Sequence, residues 1–289
     1  MASSLGGGAV ARWQNQAMTD DLHLHDGFRM PALGFGLYKV PPDQAEEVVV
    51  AGVDAGYRLV DGAEFYANEA EVGRALGRID IDRSLLTVTS KFWGEDSQDR
   101  AAVLASFEAT ERALGTAVDI YMIHWPRPNR NQYVDVWRTL IELRDAGRIR
   151  SIGVSNFTEE HITRLIDETG VVPVVNQVEL HPYLQQEGLR EFHRRHGIVT
   201  QAWSPLGRGR VLEDPTVAEV AAAHGVTPAQ AIVRWHLQLG NSVIPKSTNP
   251  ARLRSNRDVD HFALTDDEMA AFSKLERGQR FGTSPDERQ

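Results

Sequence analysis

Short apolar runs alternate with longer amphipathic stretches along most of the chain. The runs occupy residues 32–37, 57–60, 85–89, 118–123, 149–154, 174–178, 198–202 and 242–244. Helical periodicity follows them over 45–55, 69–76, 100–114, 133–145, 159–168, 189–196, 229–239 and 251–254, with an extra helix at 215–224. Runs such as Thr87-Val88-Thr89 and Tyr121-Met122-Ile123 are continuous rather than alternating, the pattern of strands covered on both faces. Ahead of them, Leu22-His23-Leu24-His25 and Phe28-Arg29-Met30 flank Asp26-Gly27, a two-residue turn signal that predicts a β-hairpin. Strand–helix units repeated eight times in one chain predict an α/β fold, a (β/α)8 TIM barrel, with the hairpin plugging its N-terminal end. A doubly wound open sheet is the alternative. Its G-x-G-x-x-G fingerprint is missing, because Gly34-Phe35-Gly36 runs into Leu37-Tyr38-Lys39 with no third glycine.

Composition narrows the picture. The chain has 289 residues, of which 42% are hydrophobic and 25% charged, which is ordinary globular make-up and barrel length. A single barrel domain is expected over 18–289. Residues 1–17 contain Gly6-Gly7-Gly8 and no basic start followed by an apolar stretch, so they read as a disordered leader or vector-derived segment rather than a secretion signal. Cysteine is absent, which excludes disulfides, zinc–thiolate sites and thiol nucleophiles. No apolar run approaches the roughly 18 residues of a membrane span, and a cytoplasmic location is expected. With Lys+Arg 31 against Asp+Glu 40, the net charge of −9 disfavours nucleic acid, so an anionic ligand needs a local basic patch. Only Lys39, Lys91, Lys246 and Lys274 among the basic residues are lysines.

In a barrel, chemistry sits where strands end at the C-terminal face. Here successive runs end in Asp61, Lys91, His124, Ser155-Asn156, Gln177, Trp203-Ser204 and Lys246-Ser247. Any one of these taken alone fits a cap or a buried hydrogen-bonding group. Taken together, and with Tyr66 close behind Asp61, they form a proton-donating device. A nearby ammonium lowers a phenol's pKa from its ordinary value of about 10, and Asp61 would hold Lys91 charged and in place.

At this point a family resemblance enters. VDGAEFYANEAEVGRAL, SKFWG, YMIHWP, IGVSNF, NQVELHP, AWSPLG and IPKSTNPARLRSN resemble, in order, the blocks of the aldo-keto reductases. The bacterial group that includes 2,5-diketo-D-gluconate reductase is the most similar, and the resemblance spans about residues 20 to 286. It implies NADPH-dependent hydride transfer to an aldehyde or ketone. Tyr66 would be the general acid, Lys91 the cation beside it, Asp61 the partner of Lys91, and His124 a neutral donor that orients the carbonyl. It further implies that Ser155, Asn156 and Gln177 hold the carboxamide and that Trp203 faces the nicotinamide ring. Trp203 stands where members commonly carry Tyr. Ser204, Leu206 and Gly207 match the pyrophosphate loop, although Gly207 and Gly209 fit a plain turn equally well. Lys246, Ser247 and Arg252 match the 2′-phosphate site and Asn256 the adenine contact, with Arg254 and Arg257 adding positive charge. Lys39 and Lys274 remain as surface charges.

Trp93, Trp125 and Tyr38 would line the substrate rim, an aromatic wall suited to small-molecule carbonyl substrates. The short polar tail from Glu276 onward suggests an open pocket, and a monomer is expected from the family. His193 and His196 read as a solvated helix face, and no metal site is expected. Two other functions stay open: a hydrolase using Asp61 with Glu64 as a carboxylate pair, and a non-catalytic nicotinamide-binding barrel subunit.

Overall fold

The structure, a computed structural model, describes residues 21–288. The segment 1–17 therefore lies outside the described residues. Strands β1 (Asp21–His23) and β2 (Arg29–Pro31) form the expected antiparallel hairpin. The eight that follow are β3 (Phe35–Gly36), β4 (Leu59–Asp61), β5 (Thr87–Phe92), β6 (Ile120–Ile123), β7 (Ser151–Ser155), β8 (Val175–Glu179), β9 (Val199–Trp203) and β10 (Ser242–Val243). They lie in one parallel sheet in sequence order. Its ends meet: Gly34 N–H donates to the Val243 carbonyl at 3.0 Å, and Val243 N–H to the Ala32 carbonyl at 2.8 Å. The sheet is thus a closed barrel, and the open-sheet alternative is excluded.

Helices ring the barrel: α1 (Pro42–Asp54), α2 (Glu69–Arg78), α3 (Arg100–Leu114), α4 (Tyr133–Asp145), α5 (Glu159–Thr169), α6 (Glu187–His196), α7 (Pro215–Ala223), α8 (Pro228–Gln238), α9 (Pro250–Arg257) and α10 (Asp266–Ser273). Their starts follow from sequence. Asp99 caps α3 by accepting from Ala102 N–H, and Thr227 forms a capping box with Gln230 at α8. The outward strand residues and the inner helix faces make one large core that includes Phe35, Tyr57, Phe107, Trp137 and Trp235.

A second core fills the barrel interior and explains the plug. Leu24, Phe28 and Met30 of the hairpin pack with Leu59, Ile120 and Val175, which begin their strands, and with Val174 just ahead of β8. Asp26 accepts from the Ser151 hydroxyl at 2.6 Å, again at a strand start. Gly153 is required inside, since a Cβ there would lie 2.5 Å from a Val175 methyl. The hairpin closes the bottom, and function is left to the opposite rim. Among the described residues, no helix is long and apolar enough to cross a membrane.

One reading of α6 is corrected. His193 is fully buried, with Nε2 at 3.0 Å from Asn176 Nδ2 and Nδ1 at 2.8 Å from Thr200 Oγ1. It lies four residues after Leu189, on the inner face of the helix, and burial pushes its pKa down to about 3. His196 is exposed, as expected.

Candidate active site

The inward alternation of β4 and β5 places Asp61 and Lys91 side by side inside the upper barrel. Both are buried, with Lys91 Nζ 2.8 Å from Asp61 Oδ1 and 2.7 Å from the Gly62 carbonyl oxygen. Asp61 Oδ1 also accepts from the Thr89 hydroxyl at 2.9 Å and from Gln177 Nε2 at 2.7 Å. Tyr66 ends a 3-10 turn, Glu64–Tyr66, that follows β4. Asn68 fixes the chain just beyond it by donating to the carbonyls of Leu37 and Val40. The Tyr66 hydroxyl comes to 3.4 Å from Lys91 Nζ. His124 follows β6, its ring edge-on to Tyr66 at 5.8 Å between centroids. Residues spread over more than sixty positions of sequence therefore surround one point.

Burial controls the protonation states. It pushes the Lys91 amine down, while the Asp61 carboxylate partly restores it. His124 is held well below its ordinary value by burial, then by the charges of Lys91, Arg288 and Arg127. It is thus neutral at neutral pH, and its buried Nδ1 has no hydrogen-bond partner. The phenol behaves opposite to the sequence expectation. Burial, then the Asp61 charge, raises Tyr66 well above the ordinary tyrosine value, so the ammonium does not lower it in the free protein.

The amide cluster joins this group directly. Ser155 Oγ donates to the Gln177 carbonyl at 2.9 Å; Asn156 Nδ2 donates to the His124 carbonyl and to Ser155 Oγ, each at 3.0 Å. Trp203 Nε1 donates to Asn156 Oδ1 at 2.8 Å, which locks the indole over the rim. Gln177 Nε2 also reaches Gln201 Oε1 at 2.6 Å. Asn156 and Ser204 both adopt positive φ, 63° and 48°, where the chain turns off β7 and β9. Gly207 (φ 55°) has no room for a side chain, because a Cβ would lie 2.3 Å from a Val211 methyl. Leu206 packs partly buried on the core.

The basic patch lies at the start of α9. Lys246 and Arg252 are exposed, and Ser247 and Asn256 are buried. Burial, then Arg252 and Lys39, pushes the Lys246 amine down. Lys39 is therefore a third member of the patch rather than an unrelated surface charge. Two features favour an anion: like charges gathered together, and the first turn of a helix. Arg257 does not belong to the patch. It sits in the last turn of α9, paired with Asp260 at 3.3 Å.

Aromatic rings frame the opening. Trp93 lies 5.0 Å from the His124 ring and Tyr38 5.3 Å from the Tyr66 ring. Trp125 is buried beside them. Phe65, 42% exposed, stacks on Trp93 at 3.9 Å and was not singled out from sequence, although it precedes Tyr66 directly. Glu64 turns away from Asp61, accepting from Trp93 N–H at 2.9 Å and from Ser106 Oγ at 2.8 Å. Neither carboxylate is free, so the acid–base pair of a hydrolase is not assembled. Among the described residues no cluster of His, Asp or Glu could hold a metal ion.

The sequence model described as the aldo/keto reductase family matches residues 32–277. The chain belongs to that family. It is 51% identical over 263 residues to an aldo-keto reductase of Mycobacterium sp. (strain KMS), covering 91% of this chain and 95% of that one. It is 48% identical over 267 residues to 2,5-diketo-D-gluconic acid reductase B of Corynebacterium sp. (strain SHS752001), covering 92% and 96%. Among solved structures, a substituted form of Gox0644 in complex with NADPH superposes with a TM-score of 0.90 at 46% identity, covering 94% and 99%. The matched region spans the buried cluster of Asp61, Tyr66, Lys91 and His124.

Proposed function

We propose that the protein reduces aldehydes and ketones to alcohols with NADPH. The observation that carries this is the buried contact of Lys91 Nζ with both Asp61, at 2.8 Å, and the Tyr66 hydroxyl, at 3.4 Å. The donor set fits the cofactor: cations for a phosphate at α9, amides and hydroxyls for a carboxamide, and a flat indole for the ring. When bound, NADPH supplies a hydride to the carbonyl carbon and leaves as NADP+.

Tyr66 gives its phenolic proton to the carbonyl oxygen as negative charge develops there. The raised pKa of Tyr66 keeps that proton in place until it is needed. Lys91 then hydrogen-bonds the resulting phenolate, and Asp61 keeps Lys91 charged. Neutral His124 has one ring N–H to give. Its Nδ1 faces the protein interior, so Nε2 is the donor directed at the carbonyl oxygen. Gln177 keeps Oε1 as an acceptor for the carboxamide, since its Nε2 is committed to Asp61 and Gln201. Ser155 and Asn156 complete that end, and Trp203 covers one face of the nicotinamide. Ser204, Leu206 and Gly207 border the pyrophosphate; Lys246, Ser247, Arg252 and Lys39 hold the 2′-phosphate; and Asn256 contacts the adenine. Tyr38, Phe65, Trp93 and Trp125 enclose the apolar part of the substrate.

The reading is tested by NADPH oxidation against a panel of aldehydes, α-dicarbonyls and keto-sugars, with alcohol formed in equal amount as the expected result. No oxidation with any member would refute it. The 2′-phosphate assignment predicts that Arg252→Ala raises the NADPH Kd about 10- to 100-fold, the loss of one charge-assisted contact, while NADH binding stays within about two-fold. Equal weakening of both cofactors would contradict it.

The depressed His124 and raised Tyr66 pKa values set the pH behaviour. With neither group titrating near neutrality, kcat/KM for reduction should be flat between about pH 6 and pH 8. An acid limb with its midpoint near the ordinary histidine value, lost in His124→Gln, would show that His124 titrates normally.

A further inference from the structure

A line of polar side chains crosses the barrel behind the amide cluster. Gln201 of β9 stands in register with Gln177 of β8 on one side and with Ser242 of β10 on the other. All three are buried. Strand alternation sends the neighbouring Thr200 outward, where its hydroxyl meets His193 Nδ1 at 2.8 Å, and returns Trp203 to the side that Gln201 faces. Gln201 therefore lies one layer below the indole proposed to cover the nicotinamide.

The donors along this line all run one way. The Asp61 carboxylate can only accept, so Gln177 must turn Nε2 toward it, at 2.7 Å. The second proton of the same nitrogen goes to Gln201 Oε1 at 2.6 Å. With its oxygen engaged, Gln201 presents Nε2 to the Ser242 hydroxyl at 3.0 Å. The one carboxylate thus sets the sense of two amides on adjacent strands. A single bond to Asp61 would decide which end of the Gln177 amide points inward, yet leave the group free to swing about its nitrogen. The bond to Gln201 removes that freedom and aims Oε1 in one direction. A buried amide costs stability unless it is hydrogen-bonded, and Ser242 bonds the end of Gln201 that Gln177 leaves over.

Gln177 Oε1 can only accept. Its complement on a nicotinamide is the carboxamide NH2, because the carboxamide oxygen needs donors of the kind Ser155 and Asn156 carry. We propose that Gln201 and Ser242 are positioning residues that aim the Gln177 amide oxygen at the carboxamide NH2, so that the protein selects among nicotinamide cofactors by that group. This rests on the cofactor reading above and adds to it the pair behind Gln177.

The test compares NADP+ with its 3-acetylpyridine analogue, in which a methyl group replaces the carboxamide NH2 and the carbonyl is kept. Dissociation constants are read by isothermal titration calorimetry, without turnover. The wild type should bind NADP+ about 5- to 10-fold more tightly than the analogue, the worth of one hydrogen bond. Gln201→Met keeps the side-chain length and removes the acceptor. Its preference should fall to within about two-fold through weaker NADP+ binding, while the analogue's Kd stays within about two-fold of the wild-type value. Ser242→Ala leaves Gln201 in place and should lower the preference part-way; it decides alone if the Met variant does not fold. A merely structural role would weaken both nucleotides alike. A wild type without preference, or variants that weaken both nucleotides equally or neither, would overturn the positioning role and leave Gln201 as filling of the barrel. Tight NADP+ binding with carbonyl turnover would then leave the reductase reading standing; no binding of either nucleotide and no turnover of any carbonyl would remove that reading as well.

Discussion

Tyr66→Phe is expected to lower kcat for carbonyl reduction by about 10²- to 10⁴-fold, the range for loss of a positioned proton donor. The substitution removes one oxygen and leaves the ring contacts with Tyr38 and His124 in place. NADPH affinity should therefore stay within about two-fold, read by nucleotide fluorescence titration. A carbonyl substrate polarised by His124 alone has no proton to receive as hydride arrives, so the deficit should appear in single-turnover rate rather than in KM. Turnover close to wild type would place the acid elsewhere. A variant that had lost cofactor binding would show instead that the hydroxyl is part of the nucleotide site.

The second large effect concerns folding as much as chemistry. Asp61→Ala should destabilise the protein by about 3–5 kcal/mol and abolish measurable reduction. Asp61 Oδ1 receives the Thr89 hydroxyl, the Lys91 ammonium and the Gln177 amide together. Removing it strands a buried positive charge and two donors in the same interior. Asp61→Asn retains an acceptor oxygen and should lose less stability, with a similar loss of activity because Lys91 is no longer held charged. Urea denaturation of the three proteins checks this, and a midpoint for Asp61→Ala matching wild type would contradict the role given to the carboxylate.

Much of this was legible in the chain. The bounds of α3 and α4 follow directly from apolar spacing, and the residues closing β4, β5 and β6 fall on one rim because parallel strands all point the same way. The start of α10 carried a readable signal too. Thr265 and Glu268 form a capping box there, a pattern the apolar runs alone do not reveal. Other features depend on tertiary context. Tyr66 was expected to have a lowered pKa because Lys91 is close. In the folded molecule, desolvation and Asp61 outweigh that ammonium, and no sequence pattern ranks these forces. His193 looked solvated among arginines until its place on the inner face of α6 was known. Lys39 joins the basic patch only because the loop after β3 folds toward Lys246. Arg127 and Arg288, far apart in sequence, both lie against Trp93, and Glu179 gains the backbone N–H of Phe281 only because the tail folds over it.

The most direct measurement follows the hydride. NADPH deuterated at one or the other face of C4 should be used in separate reactions with a simple aldehyde, and the alcohol analysed by mass spectrometry. If Trp203 covers one ring face, as proposed, the hydride would leave only from the other. The account predicts that the alcohol carries deuterium on its carbinol carbon from one labelled form and none from the other. Label from both forms, or alcohol free of deuterium in both reactions, would contradict it.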